Sequence, residues 1–307
     1  MSLHNFAKAI TPPFIISLAR RMFRRGNPPP TSEEYLRGGR VPWSPGYIEF
    51  RNSFIASVLT DARRMEIFRG GKLLPSGYGI GLDERCVEYP WLLSQISGAP
   101  ERMLDAGSSL NYAFILVPLI ARGKILHIVT LAPEANCFWE KGVSYFYADL
   151  RELPMRDGYY DSIACVSTLE HVGMDNALYT RDDAHKEQDA SAFTTAIREL
   201  HRVLKPGGTL YLSVPFGKYD DFGTFQQFDR TLLSKAERAF PDAVEISETF
   251  FRYSANGWQV SSDAECADCK YVAWINTPPE RWPTPIPVEH DRAAAARSVA
   301  CVKIRKK

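Results

Sequence analysis

The chain has 307 residues, 45% apolar and 24% charged, values typical of a globular enzyme with a substantial core. Its 37 lysines and arginines nearly balance 36 aspartates and glutamates, and the net charge of +1 gives no global indication of nucleic-acid binding. Six scattered cysteines without a secretory signal lead us to expect a reducing, cytoplasmic location.

The first 30 residues differ in composition from the rest. Residues 1–25 contain no acidic side chain but carry five basic ones: Lys8, Arg20, Arg21, Arg24 and Arg25. The apolar spacing after Pro13 predicts a basic amphipathic helix that is too short to span a bilayer. Such a helix either makes peripheral contact with an anionic membrane or docks on the domain or on another subunit, and an oligomer is compatible with it. Residues 28–30 follow as a stiff proline spacer.

Residues 31–100 are predicted to form a helical extension that leads into the main domain. The stretch 82–91 carries Arg85 and Glu88 just before the first strand motif. Both are candidates for bordering a site, but a local salt bridge is the simpler explanation, because residues three apart on a helix are neighbours.

A predicted buried strand begins at Arg102 and ends at Asp105. The following turn has the pattern D-x-G-x-S-x-N, with Gly107, Ser109 and Asn111, and an apolar run over 113–121 predicts a helix after it. Open α/β sheets build cofactor sites at such strand ends. The dinucleotide pattern G-x-G-x-x-G is absent, since Gly107 is the only glycine in this turn.

Further segments follow at the spacing of successive strand–helix units, which unrelated turns and caps would not explain. They are a strand over 125–130 ending at Thr130, an aromatic strand over 145–148 followed by Asp149 and Leu150, a strand over 160–167 ending at Ser167 and continuing as Leu169-Glu-His-Val172, and a helix over 192–204 that stops at Lys205-Pro-Gly-Gly208 before another strand.

In this order the segments resemble the motifs of class I S-adenosylmethionine-dependent methyltransferases. The turn after Asp105 resembles acid-x-G-x-G-x-G, L-E-H-V occurs in many members, and V-L-K-P-G-G-x-L resembles the step that follows the motifs. The resemblance implies an α/β, Rossmann-like fold over residues 101–275, with a mostly parallel seven-stranded sheet and helices on both faces. Residues 276–307 would add a proline-rich segment and a final strand.

The resemblance also implies S-adenosylmethionine as cofactor. Asp105 would face its ammonium group, and the turn with Gly107, Ser109 and Asn111 would approach the methionine part closely. Asp149 would accept a hydrogen bond from the adenine amino group, the Leu150 amide would meet a ring nitrogen, and the Ser167 backbone would contact the methionine moiety.

One position departs from the family. Members usually end the second strand with an acid that binds both ribose hydroxyls, and here Thr130 stands in that place. Either Thr130 makes a single hydrogen bond to the ribose, or Glu134 reaches back to replace the acid.

His171 is the candidate general base for methyl transfer to a hydroxyl, because it follows the fourth strand and an unperturbed imidazole titrates near neutrality. Packing or substrate positioning is the alternative, and Glu170 is expected to support the loop. The insertion 174–189 is rich in acids; we expect a solvated acidic loop rather than a divalent metal site. No metal ligand is assigned, and Cys266 and Cys269 are expected to be free thiols, since zinc needs four ligands.

The acceptor is predicted from aromatic residues that suit stacking against a sugar ring, or that simply form core: Tyr219, Phe222, Phe225, Phe228, Phe250, Phe251, Tyr253 and Trp258. Gln226, Gln227, Asp229 and Arg230 would border them. A T-P-P entry with a basic helix is followed by D-E-R-x-V-E-Y-P-W and then by L-D-A-G-S. In this outline the chain is similar to methyltransferases of bacterial surface-polysaccharide (O-antigen-type) clusters. This implies O-methylation of a sugar or glycan at the membrane surface. The alternatives are another small-molecule acceptor, such as a lipid, quinone or natural product, or an inactive binding protein of the same fold.

Overall fold

The computed structural model describes residues 30–134, 136–276 and 282–307, so the predicted N-terminal helix lies outside the described residues. Within them, no helix is long and apolar enough to cross a membrane. The helices are α1 Ser32–Arg37, α2 Tyr47–Leu59, α3 Ala62–Arg69, α4 Arg85–Gln95, α5 Ala113–Ala121, α6 Ala177–Thr180, α7 Phe193–Val203, α8 Arg230–Ala239 and α9 Asp263–Cys266. The strands are β1 Glu101–Ala106, β2 Lys124–Thr130, β3 Ser144–Tyr147, β4 Tyr160–Val166, β5 Leu204–Pro215, β6 Asp220–Asp221, β7 Gln226–Gln227, β8 Ala243–Ser254, β9 Gly257–Ser261 and β10 Ser298–Lys306.

Eight strands form the main sheet in the order β3-β2-β1-β4-β5-β10-β8-β9. The five strands from β3 to β5 are parallel, and β10 is antiparallel to both β5 and β8. This confirms the predicted Rossmann-like fold, with one strand more than predicted. The extra strand is β9, which pairs with β8 as a hairpin closed at Ser254 and Gly257.

Alternating side chains divide the core between the two faces of the sheet. Met103 faces one side of β1, where α2, α3 and α4 contribute, while Leu104 and Ala106 face the side covered by α7 and α8. Cys165 is fully buried on that second side.

Helix α7 has the amphipathic character that the sequence predicted. It buries Ala196, Ile197, Leu200 and Val203 on one face. Strand β5 begins at the next residue, so the predicted helix stop at Lys205 lies inside the strand. Position 207 favours glycine because its backbone has φ +75°.

Candidate active site

The predicted site residues lie at one edge of the sheet. Strands β1 to β4 are parallel, so Asp105, Thr130, Asp149 and Ser167 follow or occupy strand ends that point the same way. This is the edge at which open α/β sheets bind ligands.

Gly107 allows the turn after β1 to press against the loop after β4. Its φ is +114°, and a Cβ at this position would lie 2.1 Å from the Thr168 Oγ1 and 2.7 Å from the Thr168 Cβ. The Gly107 amide donates to the Val129 carbonyl at 2.8 Å. A side chain here would therefore separate the loops that follow β1 and β4.

We expect Gly107→Ala to weaken S-adenosylmethionine binding by about tenfold or more, because the added Cβ would collide with Thr168 and separate the loops that form the site. Titration calorimetry measures the effect. Gly142→Ala is the matched control, since Gly142 has φ +84° but would place its Cβ with nothing within 4 Å. Equal losses of affinity in the two variants would show that the Thr168 contact is irrelevant.

Asp105 is a buried carboxyl at the tip of β1, 1% exposed. Its Oδ2 accepts a hydrogen bond from the Leu110 amide at 2.8 Å, while its Oδ1 is buried without a hydrogen-bond partner. Burial raises the pKa of Asp105 to about 7, against the opposing effect of the Leu110 and Ser109 amides. The site therefore holds a carboxyl whose charge depends on what binds beside it.

Ser109 and Asn111 replace the family's glycines with side chains that connect loops. The Ser109 hydroxyl donates to the Val166 carbonyl at 2.5 Å. The Asn111 amide donates to the Asn136 carbonyl at 3.0 Å, and its Oδ1 accepts from the Tyr145 hydroxyl at 2.8 Å. The Ser109 and Asn111 side chains thus connect the turn after β1 to the end of β4, to the loop after β2 and to β3.

Ser167 is held by a buried glutamate that was not predicted to contact it. Its hydroxyl and that of Ser213 each donate to the Glu88 Oε1 at 2.7 Å. Arg85 donates to the Glu88 Oε2 at 2.7 Å, which confirms the predicted salt bridge. Glu88 is fully buried, so α4 fixes the end of β4 through this carboxylate.

The structure separates the two candidates for the ribose acid. The Thr130 hydroxyl donates within its own loop, to the Ala132 carbonyl at 3.3 Å. Burial raises the pKa of Glu134, and the nearby Ser108 side chain acts in the opposite direction. The Glu134 charge also contributes to the raised pKa of Asp105, so its carboxyl lies beside the first turn.

Asp149 is ion-paired with Arg151, whose guanidinium donates to both Asp149 oxygens at 2.6–3.0 Å. The same guanidinium donates to Glu187 of the acidic insertion at 2.5 and 2.6 Å. The predicted adenine acceptor is therefore linked through Arg151 to the insertion. Leu150 beside it is buried.

His171 is oriented by the loop between β6 and β7. Its Nδ1 lies 2.8 Å from the Thr224 carbonyl, so this nitrogen carries the proton and Nε2 keeps its lone pair. Its ring packs edge-on against Tyr179 and against Phe225. Burial lowers the pKa of His171 to about 4. The imidazole is thus neutral near pH 7, which a general base requires.

The predicted aromatic set divides into core and site. Five members are buried in the two core clusters: Phe228, Phe250, Phe251, Tyr253 and Trp258. Phe222 and Phe225 stack at 4.7 Å, and Tyr271, which was not predicted, packs on Phe225 at 4.9 Å. These three rings lie on the His171 side.

The polar residues predicted to border the rings stabilise the fold instead, which corrects that expectation. Gln226 donates to the Ala190 carbonyl, and Gln227 donates to the Lys218 and Cys269 carbonyls. Asp229 caps α8, and Arg230 pairs with two glutamates.

The acids of the insertion are engaged in local contacts. Asp182 accepts from the Ala184 amide, Asp183 pairs with Lys186, and Asp189 accepts from Ser191. Among the described residues, the one group with metal-ligand spacing is Glu289, His290 and Asp291, whose two carboxylates bind Arg297.

Three solved structures are similar to this chain at low identity. One is the 1,6-didemethyltoxoflavin-N1-methyltransferase of Burkholderia thailandensis, with bound 1,6-didemethyltoxoflavin and S-adenosylhomocysteine, at 15% identity over 92% of both chains and TM-score 0.41. The [4+2]-cyclase SpnF is 16% identical over 84% of this chain and 95% of its own, with TM-score 0.46. The YcgJ protein of Bacillus subtilis is 16% identical over 68% and 93%, with TM-score 0.40. None of these similarities assigns an acceptor.

Sequence comparison matches one family model over part of the chain. Curated protein sequences give no match. Residues 127–212 match the family model described as a methyltransferase domain, from β2 into β5, and this region contains Asp149, Ser167 and His171. The sheet has the strand order of a Rossmann-like class I methyltransferase fold, and the matched region is a methyltransferase domain of the type that uses S-adenosylmethionine.

Proposed function

We propose that the enzyme transfers the methyl group to a hydroxyl of a sugar or glycan acceptor, with His171 as general base. The observation that carries this proposal is the tautomer of His171, fixed by the Thr224 carbonyl so that Nε2 can accept a proton. An unactivated hydroxyl needs such a base in the transition state. The rings of Phe222, Phe225 and Tyr271 offer apolar faces that suit a sugar ring.

A screen of cofactor consumption across nucleotide sugars, lipid-linked glycans and quinones tests the acceptor class. Turnover confined to the sugar-bearing compounds is the expected result. Turnover with quinones or other lipids alone would assign a different acceptor, and cofactor binding without turnover of any compound would favour a binding protein.

As part of the same proposal, residues 1–25 hold the enzyme at an anionic membrane surface. Salt-sensitive co-sedimentation with anionic liposomes, lost on deletion of 1–25, is the expected behaviour.

The cofactor's cationic end is assigned to Asp105 and its ribose to Glu134. When bound, S-adenosylmethionine supplies the electrophilic methyl group. Asp105 would face the ammonium group from the tip of β1, and the Gly107 turn would bring backbone amides to the methionine part. Asp149 and the Leu150 amide would receive the adenine, with Arg151 holding the Asp149 carboxylate in place.

We expect cofactor binding to tighten as pH rises from 5 toward 7. Burial raises the pKa of Asp105 to about 7, and only its ionised form attracts the ammonium group. Below that pKa, each pH unit should change the dissociation constant by about tenfold, because binding must release a proton. Asp105→Asn should remove this dependence. An identical pH profile in the variant would assign the titration to another group.

Glu134→Gln is expected to weaken cofactor binding by about 5- to 150-fold, since an unmet charged contact to the ribose costs ~1–3 kcal/mol. Thr130→Val is the paired variant, and it should leave affinity nearly unchanged because its hydroxyl already donates to Ala132. Calorimetry on both variants decides the assignment. The reverse ranking would place the ribose contact at Thr130.

A further inference from the structure

Cys266 and Cys269 form a pair of thiols directly under the surface. Cys266 ends the short helix α9, and the Cys269 amide donates to the Cys266 carbonyl at 2.9 Å, which closes a turn. The helical turn continues through Ala267, and residues three apart on such a turn are neighbours, so the two side chains can approach each other. Both cysteines are buried, at 0% and 8% exposure, but the two residues between them are exposed.

The surroundings of the two sulfurs are unequal. The Cys266 thiol first, and also the Arg252 guanidinium, lower the pKa of Cys269 against the opposing effect of burial. The same contact with Cys269 raises the pKa of Cys266. Burial raises the pKa of the other four cysteines of the described chain: Cys86, Cys137, Cys165 and Cys301. Cys269 is thus the thiol with thiolate character, and a second thiol lies beside it.

We propose that Cys266 and Cys269 are a redox modification site, a dithiol that a hydroperoxide converts to a disulfide. The Cys269 thiolate attacks the peroxide, the O–O bond breaks, and one oxygen leaves as water or alcohol after taking up a proton. The other oxygen remains on Cys269 as a sulfenic acid. The Cys266 sulfur then attacks the Cys269 sulfur, the S–O bond breaks, and the hydroxyl leaves as water with the Cys266 proton. Two thiols are oxidised and one peroxide is reduced, independently of methyl transfer.

The pair lies where it anchors the loop that orients His171. The Cys269 carbonyl accepts from the Lys218 amide at 2.9 Å and from the Gln227 amide group at 2.8 Å. Gly217 approaches so closely that a Cβ there would lie 2.3 Å from this carbonyl oxygen. The loop it anchors carries Phe225, which packs on His171 at 5.6 Å. The pair is therefore connected by backbone contacts to the loop on the acceptor side of the site.

Peptide mapping of the full-length protein tests the proposal. The protein is treated with limiting hydrogen peroxide, free thiols are alkylated, and digests are compared by mass spectrometry. We expect the peptide that contains both cysteines to lose two hydrogens and to escape alkylation until a reductant is added. Cys137 serves as the internal control, since it is more exposed yet has a raised pKa. It should stay alkylatable.

Two variants separate the roles of the sulfurs. Cys266→Ser should leave a sulfenic acid on Cys269 that dimedone labels, and Cys269→Ser should show neither the label nor the disulfide. Oxidation of Cys137 ahead of the pair would overturn the proposal. Full alkylation of Cys266 and Cys269 after peroxide treatment of the wild-type protein would also overturn the proposal. This measurement does not depend on whether either variant folds.

Discussion

His171→Ala is expected to lower turnover by roughly 10²- to 10⁴-fold at saturating cofactor, while S-adenosylmethionine affinity stays nearly unchanged. The reason is that Nε2 of the neutral imidazole would remove the acceptor proton, while the contacts of His171 are with Thr224, Tyr179 and Phe225. Single-turnover kinetics with the acceptor found in the screen measures the loss. His127→Ala is the control, because His127 is half-buried in β2 beside Tyr160 and away from the strand tips.

The pH profile of this step should differ from that of an ordinary histidine. The sequence predicts an acid limb near pH 6 to 7, but burial lowers the pKa of His171 to about 4. Protonation removes the base, so turnover should fall only as pH drops through about 4. His171→Asn keeps a group that can donate to the Thr224 carbonyl. If this variant restores turnover, His171 acts by positioning and not as a base.

Glu88→Ala is expected to lower the free energy of unfolding by about 3–5 kcal/mol, because breaking a buried ion pair leaves uncompensated polar groups. Glu88 is fully buried and accepts from Ser167, Ser213 and Arg85, all of which would lose their partner. Equilibrium denaturation with urea gives the change.

Glu66→Ala is the matched comparison for that variant. Glu66 pairs with Arg69 at the same three-residue spacing on α3, but both side chains are more than half exposed. Solvent screens such a pair, and its loss should cost less than ~1 kcal/mol. Similar losses in both variants would mean that the Glu88 network adds no stability beyond a surface pair.

The fold could be predicted because its signals are local. The nearly continuous burial of β4, the apolar face of α7 and the turn at Gly107 are each a property of a single element, and parallel strands place their ends together. The Arg85–Glu88 pair was predictable for the same reason, since helical spacing makes the two residues neighbours.

The contacts that orient the site could not be predicted, because they join distant parts of the chain. Glu88 meets Ser167 79 positions later, and His171 meets Thr224 53 positions later. Arg151 was overlooked although it is two residues from Asp149, because its second partner, Glu187, is 36 positions away. The pKa of His171 was misjudged because burial by Tyr179 and Phe225 is a tertiary effect.

Strand β10 follows β8 and β9 in the chain but lies between β5 and β8 in the sheet. Until β10 has been synthesised, β5 and β8 both present unpaired backbone groups along one edge, an arrangement that favours pairing with other chains. The long separation between Leu210 and its partner Ile304 also makes this closure a slow, non-local step. During synthesis, the nascent chain must therefore stay protected from aggregation until residues 298–306 have left the ribosome.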